Sequence, residues 1–261
     1  MHARRRLLKA LLPALLGLVL AAGAAQAAPK KVVLVINGTL GDKSFFDSAQ
    51  HGLQMIKAKY GDAVQTRTIE MGYDQSKWSP TMEDVAAQDW DLIICGTYQM
   101  PDILTPVAEE HPERNFMIFD ATIDYSKGQH KNIYSVTYKQ NEASYLAGVM
   151  AQGMVKAGAI PSAQGTVLGF LGGMDIPVIN DFLVGYTAGA ESVDPAAKIA
   201  VSYAGSFSDA AKGKELALAQ YRSGAGIGFN VAGQTGLGQL AAAKDMGRLA
   251  IGVDSDQEAI F

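Results

Sequence analysis

From Lys31 onward, short apolar, β-branched runs alternate with longer stretches of helical spacing, and the connections between them are short. Strands are predicted over Lys31–Ile36, Val64–Glu70, Leu92–Cys95, Asn115–Phe119, Ile133–Thr137, Thr166–Leu171, Ile199–Tyr203, Ile227–Val231 and Leu249–Val253. Helices are predicted over Phe45–Tyr60, Ser79–Gln88, Pro101–His111, Gln140–Ala157, Pro177–Ser192, Asp209–Ser223 and Gly238–Met246. Apolar strands alternating with helices imply parallel, doubly wound sheets of the α/β class. After Thr137 the order restarts. The long helix from Gln140 runs into the breaker cluster Gly158-Ala159-Ile160-Pro161-Ser162, and a fresh strand-helix-strand series opens at Thr166. This places a boundary between Tyr138 and Gln164, and predicts a first α/β lobe at 28–138 and a second at 139–261 with a cleft between them.

Residues 1–27 read as an export signal. Arg4, Arg5, Arg6 and Lys9 form a basic start, Leu11 to Ala22 an apolar run, and Ala25-Gln26-Ala27 a small-residue cleavage site. The basic start suits the general export route and also contains the paired arginines of a twin-arginine signal. No cysteine follows it for a lipid anchor, and no later run is apolar for long enough to span a bilayer, so a mature periplasmic or otherwise extracytoplasmic protein with no membrane insertion is expected. Cleavage removes four of the 22 basic residues and none of the 26 acidic ones, taking the formal charge from −4 to −8. Such a surface carries no electrostatic footprint for nucleic acid. The one cysteine, Cys95, sits in an apolar run and reads as core, and the four histidines are scattered without metal-ligand spacing, so no metal or cofactor is expected.

The stretch from Tyr203 to Gly238 concentrates the ligand-binding signals. Phe207 is a large ring in a strand-to-helix loop otherwise built of Gly, Ser and Asp, and Ser208 or Asp209 can cap the helix that follows. Ile227–Val231 then empties into Gly233-Gln234-Thr235-Gly236-Leu237-Gly238, where missing side chains let a ligand approach backbone. Gly236 to Ala241 also satisfies G-x-G-x-x-A, with Asp254 about one unit further on, the position of a ribose-gripping acid in dinucleotide folds. Two classes follow: a binding protein without chemistry of its own, or an exported enzyme acting on nucleosides or dinucleotides. The second lacks a paired base, nucleophile or metal set.

Several motifs in one order carry a resemblance. Gly41-Asp42-Lys43-Ser44-Phe45, Ser144-Tyr145-Leu146-Ala147-Gly148, Gly172-Gly173 with Pro177, Tyr203-Ala204-Gly205-Ser206-Phe207 with Asp209, and Ile251-Gly252-Val253-Asp254 together resemble the basic membrane protein family, PnrA-like solute-binding proteins of ABC importers. That resemblance implies a type I periplasmic-binding fold in which two Rossmann-like lobes close on a purine nucleoside, with an ABC transporter permease as partner. It also implies roles: Phe45 and Phe207 stack the base, Asp120 faces it, and Asp254 with backbone at Gly233 holds the ribose. Asn37 stands where the family has an aspartate, and offers an acceptor and two donors in its place. Phe46 stands where the family has an asparagine and reads as core. The family continues through further strands and helices beyond the position of Phe261 and supplies a ribose-binding lysine from them, so a C-terminally truncated second lobe is expected.

Overall fold

The computed structural model describes residues 28–128, 130–160 and 167–260; the predicted leader, 1–27, and the Pro161-Ser162 end of the breaker cluster lie outside them. Among the described residues the order is β1 (Lys30–Ile36), α1 (Phe45–Tyr60), β2 (Val64–Glu70), α2 (Trp78–Ala86), β3 (Leu92–Gly96), α3 (Pro101–Glu110), β4 (Phe116–Phe119) and β5 (Ile133–Val136). It continues with α4 (Gln140–Lys156), β6 (Val167–Gly172), α5 (Pro177–Val193), β7 (Lys198–Tyr203), α6 (Ala210–Arg222), β8 (Ile227–Val231), α7 (Gly236–Met246) and β9 (Leu249–Ile251). The strands form two sheets, β2-β1-β3-β4-β5 and β7-β6-β8-β9, with every neighbouring pair parallel. The type I arrangement expected from the resemblance is present.

Side-chain alternation explains the layers. In the first sheet Val33, Val35, Ile93, Cys95, Phe116 and Ile118 point to one face and are buried under α2 and α3. Each such aliphatic or aromatic side chain contributes about 1.5–3 kcal/mol when fully withdrawn from water. Cys95 is core, as expected, and burial pushes its thiol up to about 12. On the opposite face Phe46 and Leu53 of α1 meet Val32, Leu34 and Ile36 of β1, and the cover reaches across to Phe119 at the end of β4. Over the rest of β3, β4 and β5 it is open: Leu92, Ile94, Met117 and Val136 are half-buried and Tyr134 is 69% exposed.

β5 closes the first sheet at Val136, and α4, starting four residues later, already packs along α5 of the second. Glycines allow that close contact. A methyl group at Gly148 would lie 2.1 Å from the Tyr186 carbonyl oxygen, and one at Gly189 2.0 Å from that of Tyr145. In the second sheet Leu168, Phe170, Ile227, Phe229 and Val231 face α4 and α5, while α6 and α7 pack on the other side through Ala217, Tyr221, Ala242 and Ala243. Asp209 caps α6, its carboxylate accepting from Lys212 N at 2.9 Å, a bond of about 1 kcal/mol.

Candidate ligand-binding cleft

Carboxyl ends of parallel strands are where α/β sheets receive ligands, and here those ends from both sheets line one cavity of about 880 Å³. That lies within the usual size range of small-molecule sites. Part of the volume extends along the open face of the first sheet, over Ile94 and Met117. The walls come from the segments that follow all nine described strands, Tyr73 and Gln75 after β2 and Met174 and Ile176 after β6 among them.

All six residues singled out in the sequence line this cavity. Asn37 directly follows β1 and is 4% exposed. Phe45 opens α1, half-buried, its ring 5.3 Å from that of Phe119 and 5.4 Å from that of Phe46. Phe207 enters from the second half of the chain. Its ring lies over Gly173, where an added methyl would come within 2.4 Å of it, and its carbonyl accepts from Thr235 N at 3.1 Å. Gly233 follows β8 with φ 54°, a left-handed conformation that glycine adopts without a steric cost. Asp120 and Asp254 follow β4 and β9 with φ 58° and 63°, conformations aspartate tolerates better than most residues. Phe46 is core, as read: it is 8% exposed and its ring fills the space a side chain at Gly38 would need.

The cleft is acidic and short of hydration. Asp120 is pushed up to about 7, by desolvation first and the charge of Asp254 second. Asp254 is raised to about 6 by desolvation, with the Ser44 hydrogen bond opposing and Asp42 adding to the rise. Water in the open cleft reaches Asp254, but protein on both sides thins its hydration. Tyr138 is raised by desolvation and by both carboxylates. The two halves also touch here. Ser44 Oγ donates to Asp254 Oδ2 at 2.6 Å, Ser48 Oγ to the Asp254 carbonyl at 3.0 Å, and Gln257 Nε2 to the Lys43 carbonyl at 2.9 Å.

Among the described lining residues Lys139 is the sole base, and it sits at the rim, 79% exposed and 2.8 Å from Glu142. Asp42, Asp120 and Asp254 outnumber it. The glycines of Gly236-Leu237-Gly238 are not available to a pyrophosphate. A methyl at Gly236 would lie 2.2 Å from Asn230 Oδ1 and one at Gly238 2.0 Å from the Ala210 carbonyl, so they serve the packing of α7 against β8 and α6. This packing accounts for the glycine loop, one of the two features, with Asp254, that favour a dinucleotide enzyme. Among the described residues no group of three His, Cys, Asp or Glu is placed to hold a metal ion, and no helix is long and apolar enough to cross a membrane.

Among the lining or contacting residues that the sequence does not single out are Ser44, Thr97, Gln99 and Tyr138. Ser44 lies within Gly41-Asp42-Lys43-Ser44-Phe45, where its residue type alone points to a helix cap. Thr97 and Tyr138 each follow a strand's carboxyl end by one or two residues, and that position was the signal available for them.

Residues 29–260 match the family model described as ABC transporter substrate-binding protein, PnrA-like. The chain is 36% identical over 236 residues to the ABC transporter nucleoside-binding protein BmpA of Lactococcus lactis, covering 87% of this chain and 64% of that one. It is 34% identical over 233 residues to the CD4+ T-cell-stimulating antigen of Listeria monocytogenes, covering 84% of this chain and 61% of that one. The chain thus spans less than two thirds of the length of either relative. A solved ABC transporter solute-binding protein of Aeropyrum pernix superposes with a TM-score of 0.75 at 24% identity, covering 86% of this chain and 61% of that one.

Proposed function

The chain belongs to the PnrA-like family of ABC transporter substrate-binding proteins, and from that premise we propose that it captures an uncharged purine nucleoside for delivery to an ABC permease. One observation carries the reading: Phe45 and Phe207 line a single cleft from opposite halves of the chain, and that cleft is rich in carboxylates and poor in bases. The base lies between the two rings, a contact of about 1–3 kcal/mol per base. Asp120 accepts from its N–H groups, while Asp254 and backbone at Gly233 hold the ribose hydroxyls. Phosphates are refused. A phosphate charge 4 Å from one of the carboxylates meets a repulsion of about 4 kcal/mol at the effective dielectric of a protein surface, with no base inside the cleft to offset it. The leader at 1–27 exports the protein to the compartment where the permease collects its cargo. The naming of the Lactococcus relative as a nucleoside-binding protein supports the same ligand class.

Mass spectrometry of small molecules released on denaturing the purified protein tests the assignment, together with melting curves in inosine, guanosine, adenosine, their free bases and their monophosphates. Ligand at about 100 times its dissociation constant adds about 2.7 kcal/mol of stability, and for a chain of this size raises the melting temperature by roughly 5–10 °C. Nucleosides are expected to do so, free bases less, monophosphates not at all. A shift with a sugar or an amino acid and none with a nucleoside would refute the ligand and leave the family intact.

A further inference from the structure

Thr97, immediately after β3, has φ 82°. For a β-branched residue the left-handed region is a genuine outlier, and such strain persists only where surrounding structure imposes it. The imposition is visible. Thr97 N donates to the Phe119 carbonyl at 3.3 Å and Met100 N to the Thr97 carbonyl at 3.2 Å. The preceding Gly96 is seated so closely on Phe119 that a methyl there would lie 2.4 Å from the ring. The unusual backbone sets the hydroxyl beside Asn37, whose Nδ2 donates to Thr97 Oγ1 at 2.9 Å and to Gln99 Oε1 at 3.4 Å. An amide nitrogen carries two hydrogens, and these two acceptors take both. Asn37 Oδ1 is left buried with no donor from the protein.

We propose that Thr97 is a positioning residue that fixes the Asn37 amide with its nitrogen turned to the protein and its oxygen reserved for an N–H of the ligand. The expectation for Asn37, acceptor and donor both, thereby narrows to acceptor alone. The cleft then selects heterocycles that carry a donor at this edge: the ring N–H of a 6-oxopurine or the exocyclic amino group of a 6-aminopurine satisfies Oδ1, and a base with neither leaves it unpaired. The selection rests on the nucleoside reading above; the fixed amide does not.

Two measurements on the wild type, Thr97→Val and Thr97→Ser test it. The first is side-chain amide exchange by NMR without ligand: the Asn37 NH₂ is expected to exchange slowly in the wild type and in Thr97→Ser, and at least about 5-fold faster in Thr97→Val, which loses the acceptor. Equal exchange in all three would overturn the positioning role. The second is calorimetric titration with adenosine, inosine and purine riboside, which lacks any N–H on its base. Wild type is expected to bind purine riboside about 5- to 100-fold more weakly than the better of the other two, Thr97→Ser to keep that gap, and Thr97→Val to narrow it to within about 3-fold. An undiminished gap in Thr97→Val would overturn the selection. Absence of binding by all three nucleosides would overturn the nucleoside reading and the selection with it, while the exchange comparison separately decides whether Thr97 fixes the amide.

Discussion

Ser44 Oγ donates a hydrogen bond to Asp254 Oδ2 at 2.6 Å, joining side chains 210 positions apart. Ser44 precedes α1 at the position where a serine ordinarily caps its own helix, yet its side chain makes no cap bond. Capping is supplied instead by Asp42, whose carboxylate accepts from Phe46 N at 2.8 Å and Asp47 N at 3.0 Å. That division of labour frees Ser44 to hold a carboxylate of the other half at the cleft, beside the positive end of α1.

Ser44→Ala removes the one contact that opposes the rise of the Asp254 carboxyl. Its midpoint is expected to climb above about 6, read by carbon-13 NMR titration of the aspartate side chains. Because α1 keeps its Asp42 cap, the loss is confined to this one hydrogen bond to a charged group, about 1.5–3 kcal/mol, and the melting temperature should fall by roughly 3–12 °C. An unchanged midpoint would mean that Ser44 does not tune the acid.

Phe207 is half-buried, packed against the core of the second half yet lining the cleft, so it is neither a free stacking plate nor a pure core residue. Phe207→Ala is therefore expected to weaken nucleoside binding by about 5- to 150-fold and also to lower the melting temperature. Gly173→Ala separates these effects. The ring remains, but a methyl 2.4 Å from it forces it aside. Weakened binding in both variants supports ring placement as the cause, whereas normal binding by Gly173→Ala would show that the ring's position over that glycine is immaterial.

How far the sequence led is clearest at particular residues. Strands were legible because their apolar runs stop at turn formers, as Ile227–Val231 does before Gly233. Helix α7 begins at Gly236, two residues before its predicted start, because glycines that looked like a ligand loop are instead helical contact points against Ala210 and Asn230. On α6 the buried stripe is Gly213, Ala217, Gln220 and Tyr221, while Ala211 and Ala219 stand in solvent although their residue type would suit an apolar face. Asn37 was visible as a substitution within a resemblance, but the direction of its amide depends on Thr97 and Gln99, about 60 residues away, and on a backbone angle that threonine does not advertise.

Gly238→Ala tests whether the glycine-rich turn serves packing or a cofactor. A methyl 2.0 Å from the Ala210 carbonyl must drive α6 and α7 apart, an overpacking cost of about 1–3 kcal/mol. The variant is expected to melt several degrees lower and, once folded, to bind nucleosides as the wild type does. NAD should shift neither protein's melting temperature. A clear NAD shift in the wild type that disappears in the variant would restore the dinucleotide reading.

Asp120 makes stability and binding respond to pH in opposite senses. An unfolded aspartate titrates near 3.9, while in the fold desolvation and the charge of Asp254 push the Asp120 carboxyl up to about 7. Between roughly pH 4 and 7 the folded state therefore holds more proton than the unfolded one, and by linkage stability falls as pH rises through that window. Asp254, raised to about 6, pulls the same way over a narrower range. Asp120→Asn carries no charge to desolvate, so it should melt above the wild type at pH 8, with the advantage vanishing below about pH 4. Binding runs the other way. A carboxylate accepts N–H groups only once ionised, so nucleosides should bind the wild type more tightly at pH 8 than at pH 5.5, and Asp120→Asn should flatten that dependence. Melting curves and titrations at the two pH values read both trends on the same samples; a wild type whose stability and affinity rise together would show that Asp120 is ionised throughout and that its surroundings are wetter than its place behind β4 implies.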